Sequence, residues 1–252
     1  MLGDMPVDAT LEADLRASLV TKELAESLPV ATSSEPIRDR IVRLFSETRL
    51  REERPPKYGF SDADECTRKQ VYAFREFKMY GSLSPGYGPA RWNLAAALGT
   101  AMGDFFEAAA RRLGDETQAP TTLPGTEEPI AGHADWVTPT HVVDFKRADD
   151  ATWREVQAQP KTQHRLQANG YAVALGKPKW GILYVRNVTK GEEIPWVFHE
   201  GDASPALAEQ IVEHWREVEA HRKAGTLPDR PYAQESFECR ICKYAITCWR
   251  NP

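Results

Sequence analysis

The stretch GHADWVTPTHVVDFK, residues 132–146, holds three side chains whose types and spacing suit phosphoryl chemistry. Asp135 ends one predicted strand, and Asp144 and Lys146 sit two apart on the next. Alternate residues of a strand face the same side, so Asp144 and Lys146 point the same way. A hairpin turning at Thr138, Pro139 and Thr140 then brings Asp135 beside them. Two carboxylates suit a hard divalent cation such as Mg²⁺ or Mn²⁺. Such a cation polarises a phosphate and acidifies bound water, and a neighbouring lysine positions that water and offsets charge developing on the phosphate. These are the parts needed to hydrolyse a phosphodiester. Asp-x-Lys on a strand is more often a solvated face, so the surroundings have to carry the rest. Glu107, on the helix just ahead of the strands, can lend a third carboxylate. Gln163, Gln167 and Tyr171 are spaced i, i+4, i+8 and share one helix face. They offer neutral hydrogen-bonding groups for phosphate oxygens or base edges.

The elements that position these groups are readable from periodicity. Leucines 11, 15, 19 and 28 suggest a helix over 8–28, and Ser34 can cap a second that stops at Pro55 and Pro56. Asp62 or Asp64 can cap a third helix carrying Cys66, Val71, Tyr72, Phe74 and Phe77. Residues 91–113 read as an alanine-rich helix. The texture then changes to strands at 117–123, 129–137 and 141–145, a helix over 161–175, strands at 179–185 and 193–198, and a helix over 205–223. The tail reads as a loop. The expected fold is α/β with a mixed central sheet flanked by helices, a helical N-terminal extension over 1–59, and a principal domain over 60–252.

The chain has 252 residues and a net charge of −5. Basic charge is nonetheless concentrated. Residues 37–80 carry 11 basic and 8 acidic side chains, 141–190 carry 9 and 4, and 220–252 carry 6 and 3. Local fields decide phosphate binding, so the acidic whole does not exclude a polyanion. Arg38, Arg40, Arg43, Arg49, Arg51 and Arg54 form a basic stretch that could track a nucleic-acid backbone, or be a solvated face interleaved with acids. Trp136 and Trp153 flank the acids and could stack on unpaired bases or pack in the core. No run is long and apolar enough for a membrane span, and the N-terminus has neither a basic nor an apolar signal region. A cytoplasmic location is expected.

Cys239, Cys242 and Cys248 form C-x2-C-x5-C near the C-terminus, and Cys66 stands far upstream. Four thiolates suit tetrahedral zinc or a 4Fe–4S cluster. Zinc sites usually draw their cysteines as two close pairs, which is not the pattern here.

Gly-His-Ala-Asp, Val-Val-Asp-Phe-Lys and Gln-Ala-Asn-Gly-Tyr, in this order, resemble the PD-(D/E)xK nuclease superfamily. Within it the chain is similar to RecB-like nucleases, marked by a Q-x-x-x-Y helix after the D/E-x-K strand. The resemblance covers roughly residues 60–250 and implies a restriction-endonuclease-like core. It implies that Asp135 and Asp144, with Glu107 and the backbone carbonyl of Phe145, hold one or two Mg²⁺ or Mn²⁺ ions. Lys146 is then the catalytic lysine, and Gln167 and Tyr171, with Gln163 as an extension, hold the DNA strand. The three-plus-one cysteines resemble those of the iron–sulfur members, the CRISPR-associated (Cas-four) exonucleases and the AddB subunit. That likeness implies a 4Fe–4S cluster on Cys66, Cys239, Cys242 and Cys248, with zinc as the alternative. It also implies a single-strand DNA exonuclease of 5′ to 3′ preference in a bacterial or phage-infected cell, working with helicase, recombination or CRISPR-adaptation partners. One position departs: relatives carry a histidine four residues before the glutamate, where this chain has Gly103. A DNA-binding or complex-forming subunit with weak catalysis, and a restriction-type endonuclease, are the alternative expectations.

Overall fold

The computed structural model describes residues 55–81, 90–186 and 196–250, with the backbone alone over 90–97. The expected helices at 8–28 and after Ser34, with the basic arginine stretch, lie outside the described residues. Apart from residues 90–101, the described chain belongs to one compact unit spanning Glu53–Tyr87 and Met102–Pro252.

A single 3-10 turn at Phe60–Asp62 leads to α1 (Thr67–Tyr80) and α2 (Ala90–Arg112). Three strands follow, β1 (Glu116–Leu123), β2 (Ile130–Val137) and β3 (His141–Ala148). Helices α3 (Asp150–Val156) and α4 (Thr162–Ala174) connect to β4 (Lys179–Arg186) and β5 (Trp196–Asp202). Then come α5 (Pro205–Ala224) and two short helices, α6 (Phe237–Arg240) and α7 (Ala245–Arg250). The five strands lie in sequence order, β1-β2-β3-β4-β5. All neighbours are antiparallel except β3 and β4, which are parallel. A parallel pair needs a long crossover, and the segment carrying α3 and α4 supplies it. The mixed sheet flanked by helices is the architecture expected from the sequence. The tail differs: it contains α6 and α7 where a plain loop is expected.

Burial follows position in the sheet. On β1 only one face is covered, with Ala119, Thr121 and Leu123 inside. On β3, Val142, Val143 and Asp144 are buried in succession, because a central strand is covered on both faces. Helix α4 packs on β3 and β4, α5 on α4, and α1 on α5. Asn169 ties two of these layers together. Its side chain is fully buried and donates to the Ser204 carbonyl at 2.9 Å while accepting from the Ser204 amide at 2.7 Å. Ser204 in turn caps α5 by accepting from the Leu207 amide. Tyr58 stacks on Trp215 at 4.8 Å between ring centroids, and the Trp215 indole donates to the Gly59 carbonyl. The hydrophobic core therefore includes Tyr58, a residue just ahead of the expected domain start.

Candidate active site

The β2–β3 hairpin pairs only next to its turn, at Trp136↔Val143 and Val137↔Val142. One position further on, the register sets Asp135 against Asp144, and there the ladder stops. Like charges placed opposite each other repel, and an open strand pair also leaves backbone donors without partners. Asp135 resolves the second problem: its Oδ2 accepts from the Phe145 amide at 2.8 Å. The gap between the strands is thereby held open with two acids at its mouth.

Asp144 is 2% exposed, and its Oδ2 lies 2.6 Å from Lys146 Nζ. That ammonium is the close partner of a carboxylate otherwise shut away from solvent. Burial pushes the Asp144 carboxyl up to about 6; Lys146 pulls the other way and Asp135 adds to the rise. Glu107 is also raised, by burial first and then by the charge of Asp135, with a hydrogen bond from Gln118 opposing.

Gln118 links the acids. Its Nε2 donates to Glu107 Oε1 at 2.7 Å and to Asp135 Oδ1 at 3.2 Å. One donor point thus satisfies carboxylates from α2 and β2 together. Its backbone has φ +51, in the left-handed region that non-glycine residues seldom occupy. The β1–β2 register skips this residue, although Thr117 and Ala119 on either side are paired. Strain of this kind persists where surrounding contacts over-determine it. Gln118 was not expected from sequence, and nothing in the surrounding ETQAP marks it.

Lys146 has a second partner. Its Nζ donates to Gln167 Oε1 at 3.1 Å. The Gln167 Nε2 is directed at the Tyr171 hydroxyl at 3.5 Å, which also receives the His133 amide. Gln167 and Tyr171 are both buried. The two residues expected to hold a DNA strand are therefore inside the fold, where they orient the lysine. Gln163 is turned elsewhere and donates to the Ser61 carbonyl at 3.2 Å.

Gly132 makes this arrangement possible: a Cβ there would stand 2.5 Å from the Tyr171 hydroxyl oxygen and 3.1 Å from the Phe60 ring. Gly132→Ala is expected to destabilise the fold by about 1–3 kcal/mol through overpacking. It should also displace Lys146, measurable as a loss of catalysis larger than the loss of folded protein.

Of the two tryptophans, Trp153 is a core residue. Trp136 stacks on Phe145 at 6.1 Å, and its indole donates to Asp115 Oδ2 at 2.9 Å. His141 faces Glu200 at 3.0 Å, away from the acids.

The four cysteines are all free thiols and partly buried. Cys66 precedes the first turn of α1, and its sulfur receives the Arg68 and Lys69 amides. Burial pushes the Cys66 and Cys242 thiols up, and the charges of Cys242 and Cys248 act on Cys66 as those of Cys239 and Cys248 act on Cys242. Side-chain contacts bind the tail to α1: Arg68 donates to the Pro228 carbonyl at 2.8 Å, and Tyr244 and Lys243 both donate to Glu76 Oε2. Among the described residues, no three histidine, cysteine, aspartate or glutamate side chains stand closed up at metal-holding separation. No described helix is long and apolar enough to cross a membrane.

The chain matches no family model and no curated protein. Among solved structures it is similar to the crystal structure of SSO0001, with a TM-score of 0.54 at 17% identity over 85% of this chain and 96% of that one. An alkaline exonuclease from Laribacter hongkongensis gives a TM-score of 0.49 at 11% identity, over 68% of this chain and 92% of that one. A phage-related exonuclease from Haemophilus somnus 129PT gives 0.46 at 14% identity, over 67% and 94%. At 17% identity the likeness to the first of these is one of fold.

Proposed function

We propose that this protein is a divalent-metal-dependent deoxyribonuclease, acting as a single-strand exonuclease with 5′ to 3′ preference and carrying a 4Fe–4S cluster. One observation carries the reading: Glu107 and Asp135, from two elements, share the Gln118 amide, and Asp144, opposite Asp135 in the strand register, is paired with Lys146. The donor set fits Mg²⁺ or Mn²⁺. It consists of hard carboxylate oxygens, one of them on the buried Asp144 with only the Lys146 ammonium against it, and the Phe145 carbonyl follows directly on Asp144. When bound, such an ion supplies an acidified water and polarises the scissile phosphate.

The chain's own residues do the rest. Lys146 keeps 22% of its side chain exposed, while Asp144 and Gln167 hold its ammonium. In that position it stabilises negative charge gathering on a phosphate and holds the attacking water by hydrogen bond. Gln167 and Tyr171 set its direction rather than touching the strand. For the cluster, the head of α1 and the tail supply four free thiols, the ligand type that iron or zinc takes.

The test is a cleavage assay on end-labelled single and double strands with Mg²⁺ and Mn²⁺ in turn. Shortening of single strands from the 5′ end supports the reading. Discrete bands from a closed circular duplex would favour a restriction-type endonuclease.

Gly103 favours a second reading, a DNA-binding subunit of weak catalysis. A Cβ at 103 would lie 3.9 Å from Glu107 Oε1, so this position faces the acids yet offers no ligand. Binding without cleavage by either metal would establish that reading. Gly103→His is expected to raise cleavage at limiting Mn²⁺ by about 3–10-fold, on the order of one added ligand's share of affinity. The measurement is a Mn²⁺ titration of the initial rate.

A further inference from the structure

His164 sits on α4 one turn before Gln167. Its Nδ1 lies 2.7 Å from the Tyr184 hydroxyl, which also accepts from the Lys161 amide at 3.1 Å. Tyr184 is 0% exposed. A buried hydroxyl needs an acceptor for its proton, and among the described residues Nδ1 is the one at hand. The order of donation is therefore Lys161 N–H to Tyr184 oxygen, and Tyr184 O–H to His164 Nδ1. That order places the ring proton on Nε2. Among the described residues Nε2–H has no partner, and it is not sealed from solvent.

The sheet fixes where this donor stands. Lys146 and Tyr184 are register partners on β3 and β4. Gln167 reaches down from α4 to the first and His164 to the second, so both helix residues meet one row of the sheet, within range of the Lys146 charge. Burial and the charges of Lys146 and Lys161 hold the ring down to about 3, which keeps it neutral at working pH. A neutral donor can thus stand beside an ammonium without repelling it.

We propose that His164 is a substrate-binding residue whose Nε2–H, fixed by Tyr184 and the Lys161 amide, donates to a phosphate oxygen of the DNA strand beside Lys146. The inference rests on the nuclease reading of this site. A neutral N–H binds phosphate without competing for the carboxylates that would hold the metal, and its rigid backing removes the entropy cost of ordering it.

The experiment uses the full chain with Mn²⁺ and a labelled single strand. His164→Ala is expected to raise KM about tenfold, the size of one hydrogen bond to a charged acceptor, with kcat changed by less than about threefold. His164→Gln keeps an N–H donor and should recover most of that loss. Tyr184→Phe frees the tautomer and should give part of it. Imidazole ¹⁵N shifts of the wild type should show Nδ1 unprotonated at pH 7. An unchanged KM in His164→Ala, a protonated Nδ1, or a His164→Gln no better than His164→Ala would each overturn the inference while the wild type still cleaves. A wild type that cleaves no strand would overturn the nuclease reading instead, and this inference with it.

Discussion

Asp144→Asn is expected to abolish Mn²⁺-dependent cleavage, by on the order of 10³-fold, and to make the metal-free protein more stable. The two effects come from one fact. The carboxylate is buried to 2% exposure, and its ammonium partner offsets only part of the desolvation, so the acid titrates at about 6 instead of 3.8. An acid whose folded pKa lies above its unfolded value stabilises the fold only while protonated. That contribution is present below about pH 4 and is lost as pH rises through about 6. Above that range the wild type carries a buried charge, and Asn carries none. The stability advantage of Asn should therefore be near zero at pH 3.5, grow across the window, and reach about 1–3 kcal/mol at pH 7.5. Lys146 does not lose its place in the variant, because Gln167 and solvent still receive its protons. Urea melts in EDTA at the two pH values check the stability arm, and single-turnover cleavage checks the other. A variant that cleaves, or that is less stable at pH 7.5, would remove Asp144 from the metal site. Lys146→Ala should lose about 10²–10³-fold in rate while binding DNA, since it acts on charge that develops during reaction.

The core of this site was legible because strand geometry is periodic. Asp144 and Lys146 at i and i+2 had to share a face, and a three-residue turn had to bring Asp135 back alongside. Burial of that face was not legible: Asp-x-Lys reads the same on a solvated strand, and only α4 lying across β3 and β4 encloses it. The burial of Gln167 and Tyr171 and the contact of Gln167 with Lys146 were not legible, because helical spacing gives a shared face and not what the face meets. Gln118 was invisible, since its left-handed backbone is imposed by tertiary contacts rather than by any propensity of glutamine. Helix α3 was missed because its seven residues, with Trp153 and Val156 buried, are too few to show a period. Strand β5 was expected over 193–198 and is found at Trp196–Asp202. Its His-Glu-Gly-Asp end looks like a turn, yet Gly201 is there because the Trp180 ring lies where a Cβ would be, 2.6 Å away.

Under the proposed cluster assignment, Cys248→Ser is expected to remove the cluster and unfasten the tail while leaving the sheet folded. Cys66 sits at the head of α1, and the other three thiols lie on or between α6 and α7, helices too short to be stable alone. Bonds to iron would therefore be the main fixed link between them, and ligand binding would be folding energy for the segment after Pro228. The protein contacts that remain include the Arg68–Pro228 hydrogen bond, the Arg230 bonds to the Cys248 carbonyl, the Tyr72–Tyr244 ring stack and the Glu76 cluster with Lys243 and Tyr244. Their strength lies in Glu76, buried between two donors, so the tail should stay near α1 but exchange its amides freely. Anaerobically purified wild type should be brown, with absorbance near about 400 nm and about four irons per chain. Cys248→Ser should lose both. Its amide protection should fall over α6 and α7 and persist over β3 and β4, where Val142 and Ile182 are fully buried. Stoichiometric zinc in colourless anaerobic protein would replace iron with zinc in this account. Unchanged protection in the variant would mean that the Glu76 cluster alone holds the tail and that the thiols bind nothing the fold depends on.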